Sequence, residues 1–405
     1  MQIRAFQGWR PPVELAAKVA CVPYDVINSA EAAQLAAGNP DSLLHVIRPE
    51  IDLPAGTDLH APAVYARAAA NFRDFQARGV LRRESAPVLF LYRLRHGAHE
   101  QTGVTAVFHT DDYNRDIIKK HEKTRRDKED DRTRITHELS ANPEPVFLTY
   151  RDAPEIDALV AATVSGAPLY DFTAPDGVRH TVWRVADSEP FVRAFATVPR
   201  GYVADGHHRS ASAARVGQER RAANPAHSGA EDYNWFLATI FPASQLQVLP
   251  YNRVVADLHG LTVNEFLAAV GRRFTVSANA APAPTAPAHV SMYLNGQWHG
   301  LSWTPDAAAD PVARLDVSVL QNRLLAPVLG IDDPRASQRI DFVGGSRGTD
   351  ELARRVDGGA AAVAFSMFPV TVRQLMDIAD AGQIMPPKST WFEPKLRSGL
   401  FVHTF

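Results

Sequence analysis

The stretch "GYVADGHHRSASAARVG", Gly201 to Gly217, decides the fold reading. "GYVAD" reads as a short buried strand, and "HRSASAARVG" as a helix of small residues able to lie close to a sheet. Between them stand Asp205, Gly206, His207, His208 and Arg209. A strand that passes through a glycine into a helix leaves backbone N–H groups unpaired at the helix N-terminus. The helix dipole and Arg209 favour phosphate there. A capped turn is the other reading, with Asp205 as N-cap and Gly206 permitting close backbone approach. A metal pair is disfavoured, because adjacent residues on a helix diverge by about 100°. Neither HExxH spacing nor a cysteine-bearing zinc pattern occurs, so no metal site made by protein side chains alone is expected.

Outward from this motif, strands and helices alternate. "PAVYARAAANFRDFQARG" has apolar residues at helical spacing, and "SAEAAQLAAGNP" begins with Ser29 as a candidate N-cap. "APVLFLYRLRHGAHEQTGVTAVFHT" reads as a hairpin, as does "HVSMYLNGQWHGLSW" around Asn295-Gly296. "PVFLTY" and "YNWFLATIFPA" read as buried strands. The expected class is α/β with mixed sheets. The expected divisions are an N-terminal α/β region at 1–105, a core at 106–255 and a C-terminal α/β domain at 256–405.

At 405 residues the chain is long enough for two or three domains. Its 45% hydrophobic and 22% charged residues are those of a globular protein, not a disordered one. A formal net charge of −2 and no evident helix-turn-helix argue against a nucleic-acid partner. No apolar run reaches transmembrane length. The single cysteine, Cys21, excludes an intrachain disulfide and fits a reducing cytoplasm. Abundant alanine and arginine with scarce lysine suggest a bacterial source.

Two further clusters carry chemistry. "KKHEKT", Lys119 to Thr124, opens a densely charged stretch read as an exposed helix, with His121 and Glu122 at its start. Spacing alone does not pick out Glu122. "MPPKSTWFEPK", Met385 to Lys395, presents Lys388, Ser389 and Thr390 after two stiffening prolines. It reads equally as a terminal strap or as a ligand-binding loop. In "VPYDVINS", turn chemistry favours a structural role for Asp25.

Together these segments are similar to a bacterial family of unassigned function. The similarity is carried by "VPYDVINSAEAAQLAAGNPDSLLHVIRPEIDLP", "HEKTRRDKEDDR", "VADGHHRSASAA" and "MPPKSTWFEPKLRSGL". From about Phe108 onward the chain also resembles the free-serine kinases of the ParB/sulfiredoxin-like superfamily. "KKHEKT", "YVADGHHRSASAARVG" and "VRQLMDIADAGQIMPPKSTWF" match three kinase motifs in the same order. The resemblance implies a ParB/sulfiredoxin-like nucleotide-binding core and a transferase that phosphorylates the hydroxyl of L-serine or a related metabolite. ATP or ADP would be the donor, with Mg²⁺.

By the same resemblance, Glu122 would be the catalytic base, acting with Asp205 and His208. Gly206, His207, Arg209 and Ser210 would hold the nucleotide phosphates. Lys388, Ser389 and Thr390 would hold substrate. The partners implied are a nucleotide and a small hydroxylated metabolite. Trp391 and Phe392 replace the kinase's Arg-His, and Thr239-Ile240-Phe241-Pro242 lacks its tryptophan. Both differences lie on the amino-acid side of the site. The first hundred residues have no kinase counterpart, and covering the site, forming a homodimer or adding specificity are the roles open to them. The alternative function is a nucleotide-binding or nucleotide-hydrolysing regulator of the ParB type.

Overall fold

A computed structural model describes residues 1–405. The chain divides into two units, one of Met1–Leu246 with Pro394–Phe405, the other of Gln247–Glu393. These divisions differ from the expected ones at 105 and 255. A single strand, His99–His109, runs across position 105, and the first hundred residues share a unit with the motif helix. The last twelve residues return to that same unit.

The first unit is built on a nine-stranded mixed sheet. Its strands are β1 (Ile3–Arg4), β2 (Phe90–His96), β3 (His99–His109), β4 (Ile118–Lys119), β5 (Val146–Tyr150), β6 (Tyr170–Thr173), β7 (Arg179–Arg184), β8 (Gly201–Asp205) and β9 (Trp235–Pro242). The order is β4-β8-β5-β9-β3-β2-β7-β6, with β1 added on β3. β4 runs parallel to β8 and β5 parallel to β9, while the other pairs are antiparallel. This is the mixed α/β class expected. β2 and β3 form the anticipated hairpin, from Phe90↔Thr105 to His96↔His99.

The longer helices of the unit are α1 (Ser29–Ala36), α2 (Pro62–Ala77), α3 (Arg126–Leu139), α4 (Pro154–Val164), α5 (Glu189–Thr197) and α6 (His207–Ala223). One core joins the sheet to α4 and α5 through Leu148, Val203, Ile240, Ile156 and Phe195. A second lies among the N-terminal segments, where Tyr24, Leu44, Tyr65, Phe72 and Phe75 pack with Ile135 and Leu139 of α3. The buried face of α3 carries Ile135 and Leu139 alongside Arg132, Thr133 and Thr136, while the rest of it is charged and solvated. Asn28, not Ser29, caps α1, in a reciprocal capping box with Glu31.

α6 approaches its neighbours closely because its inner face is small: Ser210, Ser212, Ala213, Ala214 and Gly217 are all buried. A Cβ on Gly217 would lie 2.7 Å from the carbonyl oxygen of Tyr233, so any larger residue would push the helix away.

The second unit is a six-stranded antiparallel sheet. Its strands are β10 (Tyr251–Val255), β11 (Thr275–Ala278), β12 (His289–Leu294), β13 (Gln297–Ser302), β14 (Ile340–Gly344) and β15 (Val363–Met367). The order is β11-β13-β12-β15-β10-β14. The β12–β13 turn at Asn295-Gly296 has both residues left-handed, at φ 47° and 78°, matching the right-handed strand twist. Helices α7 (Val263–Gly271), α8 (Asp350–Asp357) and α9 (Val372–Asp380) accompany the sheet. No helix of the chain is long and apolar enough to cross a membrane.

Candidate functional site

β8 ends at Asp205, and Gly206 turns the chain into α6 with φ 93° and ψ 33°. Only glycine holds that left-handed conformation without strain. Gly206 is therefore the N-cap, whereas the capped-turn reading had put Asp205 there, and no side chain caps the helix. The helix that starts there is 17 residues long, and its first-turn N–H groups have no acceptor within the helix itself. The Asp205 carboxylate is held instead by its own chain: one oxygen accepts from the Gly206 N–H at 2.9 Å, the other from the Lys395 ammonium at 2.9 Å. Burial opposes its ionisation, yet Lys395 and Arg209 outweigh that and hold its carboxyl well below the usual range.

His121 and Glu122 lie in the loop between β4 and α3, not at a helix start. That loop brings them against α6. The rings of His121 and His207 meet edge to face, with centroids 4.5 Å apart and planes at 88°. A Glu122 carboxylate oxygen stands 3.9 Å from Nδ1 of His207. Both histidines are buried, whereas the Glu122 side chain is 51% exposed. Burial pushes His121 down to about 4, against a weaker pull from the Val203 backbone. Burial and then His121 hold His207 well below the ordinary value. Both rings are therefore neutral at pH 7. No hydrogen bond of ordinary geometry reaches either nitrogen of His121 or Nε2 of His207. His208, half-buried, accepts from the Arg125 N–H at 3.0 Å through Nε2, which pins this loop to the helix.

Two expected phosphate ligands turn inward. The Ser210 hydroxyl is fully buried and donates to the carbonyls of His207 and Gly206, at 3.0 and 3.3 Å. The Arg209 guanidinium donates to the Pro145 carbonyl at 2.5 Å and lies 3.7 Å from Asp25. Burial opposes its charge, but Asp25, Asp205 and Glu144 keep it protonated. Neither side chain is presented outward, because each satisfies a buried polar group that would otherwise be costly.

Beneath the helix lies a charged layer that sequence reasoning passed over. Glu144 accepts from the Tyr24 N–H at 3.1 Å and the Ser398 hydroxyl at 2.9 Å. The Arg132 guanidinium covers the Tyr24 ring at 4.0 Å. Asp25, assigned to turn chemistry, faces Arg209. Lys395 was quoted with the terminal motif but given no role. These contacts join residues far apart in sequence, and no spacing rule reports them.

Lys388, Ser389 and Thr390 belong to the second unit. Lys388 has φ 56°, its ammonium lies 5.4 Å from the Tyr251 ring centroid, and its carbonyl accepts from Arg253 at 3.1 Å. Arg253 is buried, and that burial pushes its guanidinium down to about 10. The Ser389 hydroxyl donates to the Pro386 carbonyl at 2.6 Å.

The family model described as a protein of unknown function, DUF1015, matches residues 3–318. No curated protein matches the chain. Among solved structures, the chain is similar to SbnI with a C-terminal truncation from Staphylococcus aureus: 12% identity, TM-score 0.39, 74% of this chain and 87% of that one covered. A free serine kinase in complex with AMP gives 10%, 0.37, 73% and 91%. A conserved hypothetical protein from Pyrococcus furiosus gives 13%, 0.37, 73% and 94%.

Proposed function

We propose that this chain, which belongs to the DUF1015 family of proteins of unknown function, is a nucleotide-dependent kinase of a small hydroxylated metabolite such as free L-serine. One observation carries the reading: an exposed carboxylate, Glu122, is held 3.9 Å from His207 on the first turn of a helix that no side chain caps. An acceptor for a hydroxyl proton thus stands next to a seat for phosphate.

Phosphoryl transfer asks for positioning and charge neutralisation more than for covalent chemistry. The N–H groups of the first turn of α6 receive phosphate oxygens from the nucleotide. Glu122 takes the proton of the substrate hydroxyl, whose oxygen bonds to the terminal phosphorus. The bond from that phosphorus to the bridging oxygen breaks, and the nucleotide leaves one phosphate shorter. His207 orients Glu122, and His208 holds the loop that carries it. Mg²⁺ arriving with the nucleotide would add charge neutralisation, and Asp205 is the fixed carboxylate that would hold it. Arg209 acts from behind as a positioning residue. The assignment of Lys388, Ser389 and Thr390 to substrate rests on motif resemblance alone.

The test is direct. The protein is incubated with ATP or ADP and a panel of hydroxy metabolites including L-serine, and phosphorylated product is followed. Product that depends on one acceptor supports the kinase. Nucleotide turnover indifferent to every acceptor would make the chain a nucleotide-hydrolysing regulator, and neither product nor turnover would refute both.

A further inference from the structure

We propose that His121, Glu122 and His207 form a binding site for one divalent transition-metal ion of the Zn²⁺ or Co²⁺ kind. The adjacent pair His207 and His208 cannot converge on one ion, but the fold supplies other partners for His207. One ligand atom from each of His121, Glu122 and His207 lies within 4.8 Å of the other two. Two imidazoles and one carboxylate are the donor set of many open transition-metal sites, and nitrogen donors select against Mg²⁺ and Ca²⁺.

A second observation points to a ligand independently of that clustering. Both histidines are more than nine-tenths buried. Neither nitrogen of His121 makes a well-formed hydrogen bond, and Nε2 of His207 makes none. Buried polar atoms left in this state cost free energy unless something satisfies them. A metal ion takes an imidazole lone pair directly.

The dimensions require a small closure. Ligands about 2.1 Å from a tetrahedral ion stand roughly 3.4 Å from one another. The histidines are fixed by packing, so the exposed Glu122 side chain supplies the movement. An ion held there would keep one or more positions open toward solvent. It would also occupy the carboxylate assigned to proton transfer, so it would inhibit phosphoryl transfer. That last consequence rests on the proposed kinase function, whereas the binding does not.

The full-length protein is titrated with Co²⁺, followed by its visible absorption, and with Zn²⁺, followed by calorimetry and by metal content after dialysis. One ion per chain is expected. Glu122→Gln and His121→Ala should each weaken binding roughly tenfold or more, with circular dichroism confirming the fold. His137→Ala, altering a histidine paired with Glu219 at the surface, should leave binding unchanged. Absence of a stoichiometric site overturns the proposal and leaves the two histidines as a packing pair. Binding that survives both site substitutions overturns it equally. In an acceptor-dependent phosphorylation assay, Zn²⁺ should inhibit as the site fills. A protein that binds the ion but phosphorylates nothing at any metal level would sink the kinase reading and spare the metal site.

Discussion

The Glu122 carboxylate stands 3.9 Å from Nδ1 of His207, and the two residues come from different elements, a loop and a helix start. Their meeting brings two separate motifs into contact. Glu122→Gln keeps the side chain's shape and removes its capacity to accept a proton. Phosphoryl transfer should fall by about two to four orders of magnitude, the usual worth of a general base. Nucleotide affinity, which the proposal assigns to the α6 N-terminus, should stay within about threefold. Paired calorimetry and single-turnover kinetics check this, and full activity in the variant would remove Glu122 from the mechanism.

Gly206 is the hinge on which that N-terminus depends. At φ 93° an alanine is strained, and its Cβ would also meet Cζ of Arg209 at 3.0 Å. Gly206→Ala should lose about 1–2 kcal/mol from the left-handed backbone alone, more if Arg209 is displaced from the Pro145 carbonyl. Urea denaturation measures the loss. Nucleotide affinity should fall with it, because the first-turn donors rotate. A variant as stable as the parent would show that the turn relaxes freely.

The strand, glycine and helix of residues 201–217 were legible because their causes are local: an apolar run, a residue free of Cβ, and small side chains. The hairpin at Asn295-Gly296 was legible for the same reason. His121 was not. It sits in a run of charges and reads as exposed, yet contact with His207 buries it. Asp25 was read only as a turn residue, and Glu144 and Lys395 were given no role, because an ion pair across the fold leaves no periodicity. The N-terminal region looked separable because it has no counterpart in the kinases that the rest of the chain resembles. Its Tyr65 and Phe72 share a core with Ile135 and Leu139, and only packing reveals that.

Asp205 and Lys395 are joined at 2.9 Å with the lysine largely buried and the carboxylate about a quarter exposed. Removing Lys395 takes away the larger of two cationic partners and leaves the carboxylate to Arg209 and the Gly206 N–H, a loss of up to about 3 kcal/mol, the low end of the range for a broken buried pair. Lys395→Met should show this loss at pH 7. In the parent, the depressed Asp205 contributes stability above its unfolded value, about 3.9, and loses it as pH falls further. In the variant the carboxyl shifts upward, so acidification from neutrality toward pH 4 should narrow the difference between the two proteins. A gap that does not depend on pH would mean that Lys395 acts through packing of its stem alone.

Burial pushes His180 down to about 3 and His403 down to about 4. His180 is held by Tyr92, whose hydroxyl lies 2.8 Å from Nδ1, and His403 by the Asp232 carbonyl at 3.1 Å. Unfolding frees both to take a proton near pH 6.5, while the native state refuses it. Their contribution to stability is complete above about pH 6.5 and is lost as pH falls toward their native values. Each should steepen the acid side of the stability curve by about 1.4 kcal/mol per pH unit, and His121 and His207 act in the same direction. Denaturation midpoints should therefore begin to drop near pH 6, before most carboxylates titrate. His180→Gln should be less stable at pH 7 yet show a shallower fall between pH 6 and 4.5. A slope equal to that of the parent would place the proton uptake elsewhere.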